Sequence, residues 1–250
     1  MKAIILAAGM GTRLRPLTES CPKCLVDVCG KPIMEYQLES LRKAGIGQCT
    51  MVVGYKSESV RQRFGNNYRG IELSYVENHR YAETNNMYSL WLAKSKMDDD
   101  ILLLESDLIF DDWLLQELIW DHAANVAVVD RYRPTMDGTV ILSNAGVVEA
   151  MVLKARQGLG FDYATALKTV NIYKLSQETL TDWVIPAMDS FLSRERTDQY
   201  YEVVFSNLID GGRLDMGVFH MGSRRWAEVD TLEDLRIAEE MFAAPPASVR

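Results

Sequence analysis

An α/β fold, with a doubly wound and mostly parallel sheet, helices on both faces and a smaller insertion in its second half, is predicted by three observations. Strand and helix patterns alternate over roughly the first 130 residues, which is how a parallel sheet is written in sequence. Most strand segments, Lys2 to Leu6 and Ile101 to Leu104 among them, are short apolar runs, as expected where both faces are covered. At 250 residues, 48% hydrophobic and 25% charged, the chain has globular composition and can bury roughly three-quarters of its unfolded surface.

Lys2 to Leu6 is an apolar run ended by glycine and reads as the first buried strand. Pro32 opens a helix in which Met34, Leu38 and Leu41 recur at helical spacing before Gly45 closes it. Thr50 to Gly54 is the second strand, Ser57 to Phe64 a helix and Ile71 to Tyr75 the third strand. Asn86 to Lys96 reads as helix, Ile101 to Leu104 as strand, Asp112 to His122 as helix and Asn125 to Val129 as strand. This is a Rossmann-like order.

The second half is less regular. Residues 139–142, 147–153 and 168–173 are strand candidates without clear helices between them. Helices follow over Ser176 to Leu192, kinked at Pro186, and over Asp198 to Ile209. Asp215 to His220 and Trp226 to Val229 are late strands. Thr231-Leu232-Glu233-Asp234 resembles a capping box for a last helix ending near Phe242, with Pro245-Pro246 stopping it before a frayed tail. No repeat or low-complexity linker interrupts residues 1–250, so the chain reads as one domain divided softly near residue 125.

A net charge of −8 argues against a nucleic-acid-binding face, although basic residues gathered locally still suit a small anion. No run approaches the roughly 18 apolar residues that span a bilayer, and the first residues lack a signal-peptide cleavage pattern. The expected location is the cytoplasm, without membrane or nucleic-acid partners, as a monomer or homodimer. Cys21, Cys24, Cys29 and Cys49 are the four cysteines. Cys21-Pro22-Lys23-Cys24 has C-x-x-C spacing, but His79, His122 and His220 are too scattered to complete a zinc site, so structural or incidental thiols are expected.

Leu6 to Thr18 carries the strongest signal: Gly9 and Gly11 directly follow a strand, where bare backbone N–H groups can approach an anion. Arg13 and Arg15 add permanently charged planar donors. A dinucleotide fingerprint wants a third glycine where Leu14 stands, and a hydrolytic P-loop wants Gly-Lys-Ser/Thr where the chain has Gly-Thr-Arg. What remains is a loop that carries arginine itself, with Pro22-Lys23 beyond it.

Met1 to Pro32, including Pro22-Lys23-Cys24-Leu25-Val26 and Gly30-Lys31-Pro32, resembles the nucleoside-triphosphate transferases that make activated sugars and alcohols. The resemblance continues through Asn85-Asn86-Met87-Tyr88-Ser89-Leu90 and Trp226 to Thr231, and reaches about Phe242. It implies a nucleotide-binding part over about 1–125, an acceptor-binding part over about 126–225 and a C-terminal helix over about 231–242. It also implies that the glycine loop and Arg13 hold a triphosphate while Lys23 neutralises charge on the reacting phosphates. Leu6, Ala8, Gly9, Gly11, Thr12 and Ser106 then belong to the nucleotide site.

Asp107 follows the strand Ile101 to Leu104 at its carboxyl end, where ligands sit in open parallel sheets. Asp230 follows the Trp226 strand. Either alone reads equally as a helix cap, but two separated carboxylates are what Mg2+ takes from protein when phosphates and water complete its shell. In the family these positions are metal ligands, and Glu228 is a further candidate near the metal or the acceptor. The chain has Glu105-Ser106-Asp107 where many sugar-nucleotide members have Gly-Asp, so the aspartate is kept and the glycine is not.

The implied chemistry is attack by a phosphate or phosphonate oxygen on the α-phosphorus of a nucleoside triphosphate. An already ionised nucleophile needs no general base, so alignment and charge neutralisation carry catalysis. Tyr81, Thr84, Asn85 and Ser89 place amide and hydroxyl groups within reach of a base, while an asparagine N-cap explains Asn85 equally well. This segment resembles the phosphocholine cytidylyltransferase branch, so CTP is the expected nucleotide. Lys168 to Tyr173 and Gln199 to Glu202 resemble acceptor segments of enzymes acting on phosphocholine, 2-aminoethylphosphonate and related phosphonates. Lys168 is assigned to the acceptor phosphonate or phosphate, Glu202 to an amine, and Tyr173, Tyr201 and Trp226 to a quaternary ammonium group; single aromatics read as readily as core. Arg131 and Arg133 suit instead an acceptor with a second carboxylate. A hexose-1-phosphate transferase and a non-catalytic nucleotide-binding subunit stand as alternatives.

Overall fold

The computed structural model describes residues 1–243. Side-chain alternation along β1 (Lys2–Ala7) divides the interior into two layers: Ala3, Ile5 and Ala7 enter one core, Ile4 and Leu6 the other. The remaining strands are β2 (Asp27–Val28), β3 (Lys31–Pro32), β4 (Gln48–Val53), β5 (Asn67–Tyr68), β6 (Ile71–Glu77), β7 (Ile101–Glu105) and β8 (Leu108–Phe110). They continue with β9 (Val126–Arg131), β10 (Val140–Asn144), β11 (Val147–Val152), β12 (Leu167–Leu175), β13 (Gly217–His220) and β14 (Trp226–Glu228).

Ten of these strands form one sheet in the order β10-β11-β13-β9-β12-β7-β1-β4-β6-β5. Its centre, β7-β1-β4-β6, is parallel. The chain winds outward from β1 through β4 to β6, then returns to place β7 on the other side of β1. That reversal opens a crevice at the carboxyl ends of β1 and β7, the position where open α/β sheets take their ligands. The second half adds β12 antiparallel to β7 and β9, which is why it lacks intervening helices.

Helices Ile33–Lys43, Ser57–Phe64 and Leu114–Ile119 cover one face through Leu38, Leu41, Val60, Leu114 and Leu118. Helices Asn86–Leu92, Ile185–Leu192 and Tyr201–Asp210 cover the other through Met87, Leu90, Met188, Val204 and Phe205. The doubly wound arrangement follows from apolar stripes at helical spacing facing strands apolar on both sides.

The helix expected over Asp112 to His122 spans Leu114–Ile119 and the strand expected from Asp215 begins at Gly217; three further differences have local reasons. The predicted helix over 176–192 contains a widened π segment, Leu180–Val184, before it resumes at Ile185. Pro186 cannot donate to the carbonyl four residues earlier, and the wide turn accommodates that loss. The helix expected from Asp198 begins at Tyr201, because the carbonyls of Thr197 and Gln199 instead accept from the N–H groups of Asn85 and Met87. The helix expected to reach Lys96 stops at Leu92, with a 3-10 turn over Lys94–Lys96. The last helix, Leu232–Phe242, has the expected capping box between Thr231 and Asp234. The predicted stop at Pro245-Pro246 lies outside the described residues. Among the described residues no helix is long and apolar enough to cross a membrane.

Candidate active site

The turn after β1 is shaped by one glycine. Gly11 has φ 59°, and a Cβ there would lie 3.0 Å from Lys23 Cβ and 3.1 Å from Thr18 Cγ2, so backbone conformation and space both require glycine. The Thr18 hydroxyl donates to the Gly11 carbonyl at 2.8 Å and fixes the turn. Gly9 differs: a Cβ would meet nothing within 4 Å, so its bare backbone leaves open space at the crevice rather than relieving a clash.

This crevice is a pocket of about 310 Å³. Leu6, Ala8, Gly9, Gly11, Thr12 and Arg13 line it from the β1 turn, with Lys23 from the following 3-10 turn. Tyr81, Thr84, Asn85 and Ser89 line the opposite side, and Ser106, Asp107 and Asp230 close its base. The residues assigned by sequence to the triphosphate, the base and the metal therefore face one cavity, except Arg15 and the further candidate Glu228, which do not line it.

Two distant carboxylates meet through a two-stranded ladder. β14 pairs antiparallel with β8, placing Glu228 opposite Leu108, and Val229 N–H donates to the Asp107 carbonyl at 2.9 Å. That extension carries Asp230 to Asp107. Thr231 provides the helix cap, leaving the Asp230 carboxylate to the cleft.

Lys23 Nζ lies 2.6 Å from Asp107 Oδ2 and 2.5 Å from Asp230 Oδ1, and Arg13 Nη2 lies 2.8 Å from Asp230 Oδ2. Burial alone would push the Lys23 ammonium down; Asp107 and Asp230 overcome that and hold it above its ordinary range. Asp107 Oδ1 is buried without a hydrogen-bond partner among the described residues. An unused carboxylate oxygen beside a second carboxylate suits a hard divalent cation. No group of three or more His, Cys, Asp or Glu able to hold a metal occurs among the described residues. An ion held here by Asp107 and Asp230 would need its remaining ligands from outside the protein, as phosphate oxygens and water supply them.

On the opposite side, buried Asn78 donates to the Thr84 and Ser89 hydroxyls at 3.0 Å each. Asn85 is the helix N-cap, its side chain accepting from Asn86 N–H at 2.8 Å, so the capping explanation holds and leaves its amide NH2 available. Gly54, missed as a site residue, sets this wall: a Cβ there would fall 2.8 Å from the Ala8 carbonyl oxygen and 2.8 Å from Tyr81 Cβ. Gly54→Ala is expected to cost about 1–3 kcal/mol and to raise KM for the nucleotide, checked by urea unfolding and initial rates.

The proposed acceptor residues do not line this pocket. Lys168, Tyr173, Tyr201 and Glu202 are between 0% and 6% exposed and form a buried polar layer beneath it. Lys168 Nζ donates to the Thr169 carbonyl at 2.9 Å and stands 3.7 Å from Glu228 Oε2. Tyr173, Tyr201 and Phe205 pack edge-on or tilted in the core with centroids 5.3–5.7 Å apart, so the rings of Tyr173 and Tyr201 act as packing. Trp226 is likewise buried, its indole N–H donating to Asp130 at 2.9 Å. Arg133 pairs with that same carboxylate at 3.0 Å.

Glu105, also missed as a site residue, links layer and pocket. It lines the cavity with Asn86 and accepts from the Tyr201 hydroxyl at 2.8 Å and the Asn86 amide at 3.1 Å. Burial, then the charges of Asp107 and Glu202, push its carboxyl well above the carboxylate range. Glu228 is pushed up to about 7, mainly by burial, with Lys168 opposing and Asp107 and Asp230 adding to it. The unfolded chain releases this proton near 4.5, so the folded state binds the extra proton between about 4.5 and 7. Stability of the metal-free protein therefore falls as pH rises through that window and levels off above it. With 28% of the Glu228 side chain exposed, the loss is on the order of 1 kcal/mol. Urea unfolding at pH 5 and 7.5, compared with Glu228→Gln, isolates it.

The thiols take no part in this site as ligands to one another. Cys24 and Cys49 are buried, and burial pushes each up to about 12.

The sequence profile described as nucleotidyl transferase matches residues 2–156, more than half of the chain. The chain belongs to the nucleotidyl transferase family. Members of this family generally use a divalent metal, consistent with the paired aspartates. The chain is 34% identical over 246 residues to the CMP-5'-(3-aminopropyl)phosphonate synthase of Streptomyces rubellomurinus, covering 98% of this chain and 39% of that protein. It is 29% identical to the choline-phosphate cytidylyltransferase of Streptococcus pneumoniae, covering 97% of this chain and 98% of the relative. The structure of the CTP:phosphocholine cytidylyltransferase from Streptococcus pneumoniae superposes with a TM-score of 0.78 at 27% identity, covering 96% and 98% of the two chains.

Proposed function

We propose that this nucleotidyl transferase moves CMP from CTP to a small phosphonate or phosphate monoester, releasing pyrophosphate, with Mg2+ as its divalent ion. The observation that carries the reading is the meeting of Arg13, Lys23, Asp107 and Asp230 at one end of the nucleotide pocket. The choice of CTP and acceptor class draws on the activities named for the two relatives, a phosphonate synthase and a phosphocholine cytidylyltransferase.

In this reaction an acceptor oxygen forms a bond to the α-phosphorus while the bond to the bridging oxygen of pyrophosphate breaks. The acceptor is already an anion, so no residue need remove a proton. The β1 turn, with Gly9 and Gly11, holds the phosphates by backbone N–H groups. Arg13 and Lys23 are placed to offset charge that gathers on the α-phosphate and the leaving group. The divalent ion, bound by Asp107 and Asp230, supplies further charge neutralisation and a fixed orientation for the phosphates. Asn78 fixes Thr84 and Ser89, so the opposite wall presents an ordered polar surface to the base. The reaction is assigned to the cytoplasm and to a monomer or homodimer, which light scattering distinguishes.

Pyrophosphate release with ATP, GTP, UTP and CTP, each tested against 2-aminoethylphosphonate, 3-aminopropylphosphonate, phosphocholine and glucose 1-phosphate, tests the proposal. Release with CTP and a phosphonate or phosphate amine, dependent on Mg2+, is expected. Preference for UTP with glucose 1-phosphate, or binding without release for every pair, contradicts it.

A further inference from the structure

A polar residue stands in the apolar stripe that the helix Ile33–Lys43 presents to the sheet. Met34, Gln37, Leu38 and Leu41 share that stripe at helical spacing, and all four are 0% exposed. An apolar side chain at position 37 would fill the space with no polar atom to satisfy. The amide of Gln37 is used on one side only. Its Nε2 donates to the Glu105 carbonyl and to the Leu108 carbonyl, each at 2.8 Å. Its Oε1 has no hydrogen-bond partner among the described residues. Two carbonyl oxygens can be met only by the NH2 group, which fixes the direction of the amide. A buried acceptor left unpaired is costly, so what the side chain brings to this position is its two donors.

The two carbonyls bracket the turn that carries Asp107. β7 ends at Glu105 and β8 begins at Leu108, with Ser106 and Asp107 between them. The Ser106 N–H donates to the Leu6 carbonyl at 3.2 Å, and the Asp107 carbonyl accepts from Val229 N–H at 2.9 Å. Those backbone bonds tie the turn to β1 and to the segment that carries Asp230. Gln37 closes the third side and sets the separation of the turn's two ends. Only the Asp107 side-chain torsions then remain to place its carboxylate.

We propose that Gln37 is the positioning residue for Asp107, acting through the backbone of the 105–108 turn. The inference rests on the reading of Asp107 as a ligand of the divalent ion. Gln37 is not among the residues that line the pocket, so its effect reaches the site through Asp107. Groups one step behind a metal ligand set metal affinity or activity by about 10–100-fold.

Gln37→Met tests this, since it keeps the length of the side chain and removes both donors. Ser40→Ala is the matched control. Ser40 lies on the same helix, is 0% exposed and donates to the Asp112 carbonyl at 2.9 Å, beyond the turn. Mn2+ binding is read by electron paramagnetic resonance with a CTP analogue that resists transfer, so no turnover is involved, and kcat and KM are measured with CTP. Gln37→Met is expected to raise the Mn2+ dissociation constant and lower kcat, each by at least about tenfold. Acceptor KM stays within about twofold, as does every parameter of Ser40→Ala. On the Asp107→Ala background, Gln37→Met is expected to change Mn2+ binding by less than about twofold, because the clamp then has no carboxylate to place. Circular dichroism is the folding control. Should Gln37→Met not fold, Gln37→Glu keeps the shape and, when protonated, one donor; a smaller loss of Mn2+ affinity is then expected, and none overturns the inference. Wild-type Mn2+ affinity in folded Gln37→Met overturns it, as does an equal loss in Ser40→Ala or an undiminished loss on the Asp107→Ala background. Unchanged Mn2+ affinity in Asp107→Ala alone overturns the metal reading, and this inference with it.

Discussion

Lys23→Ala is expected to lower CTP-dependent pyrophosphate release by at least about a hundredfold, the usual consequence of removing a group that stabilises developing charge. Its ammonium stands between Asp107 and Asp230, the carboxylates that hold the divalent ion in this account. Both partners are largely shielded from water, so truncation leaves Asp107 without its cation and Asp230 with only Arg13. Breaking such a buried arrangement costs about 3 kcal/mol. A melting-temperature drop in metal-free Lys23→Ala, partly recovered with Mg2+, is the accompanying result. Recovery of stability without recovery of turnover separates the chemical role from the structural one. Near-normal turnover by the folded variant contradicts the assignment.

Asp107→Ala should be at least as damaging to turnover, about a hundredfold or more, for a different reason. Lys23 keeps Asp230 as its partner, so the fold is far less affected. What is lost is the carboxylate whose second oxygen is buried and unsatisfied. Activity measured against Mg2+ concentration should shift to higher metal and fail to reach the wild-type plateau. A variant with unchanged Mg2+ dependence would remove Asp107 from the metal site.

The parallel half of the fold was legible because most of its strands, β1, β4 and β7, are apolar runs and its helices repeat their apolar residues at helical spacing. Ser57–Phe64 is helical over the predicted span. The two-residue strands β2, β3 and β5 are too short to show a period. Of the β8–β14 ladder only Trp226 to Val229 reads as a strand in sequence; the three residues of β8 do not, and the pairing of residues over a hundred positions apart is a tertiary fact. The glycine loop, Arg13, Lys23 and the two aspartates stand out in the sequence because the proposed phosphate-metal centre would demand those residue types, and they meet at one end of the pocket. Gly54 looks in sequence like the end of a strand, since its tight contacts with Ala8 and Tyr81 come from other parts of the chain. Glu105 drew notice only as the residue standing near a missing glycine. Its signal, an acidic residue closing an otherwise apolar buried strand, was present in the sequence. The acceptor side was least legible, because a buried tyrosine in a substrate wall and one in a core have the same sequence appearance.

Anomalous diffraction from crystals grown with Mn2+ and CTP addresses the central arrangement most directly. A single peak is expected beside Asp107 and Asp230, with Lys23 turned from the two carboxylates toward phosphate. A metal peak away from both aspartates, or Lys23 still clasped between them with nucleotide bound, would contradict it.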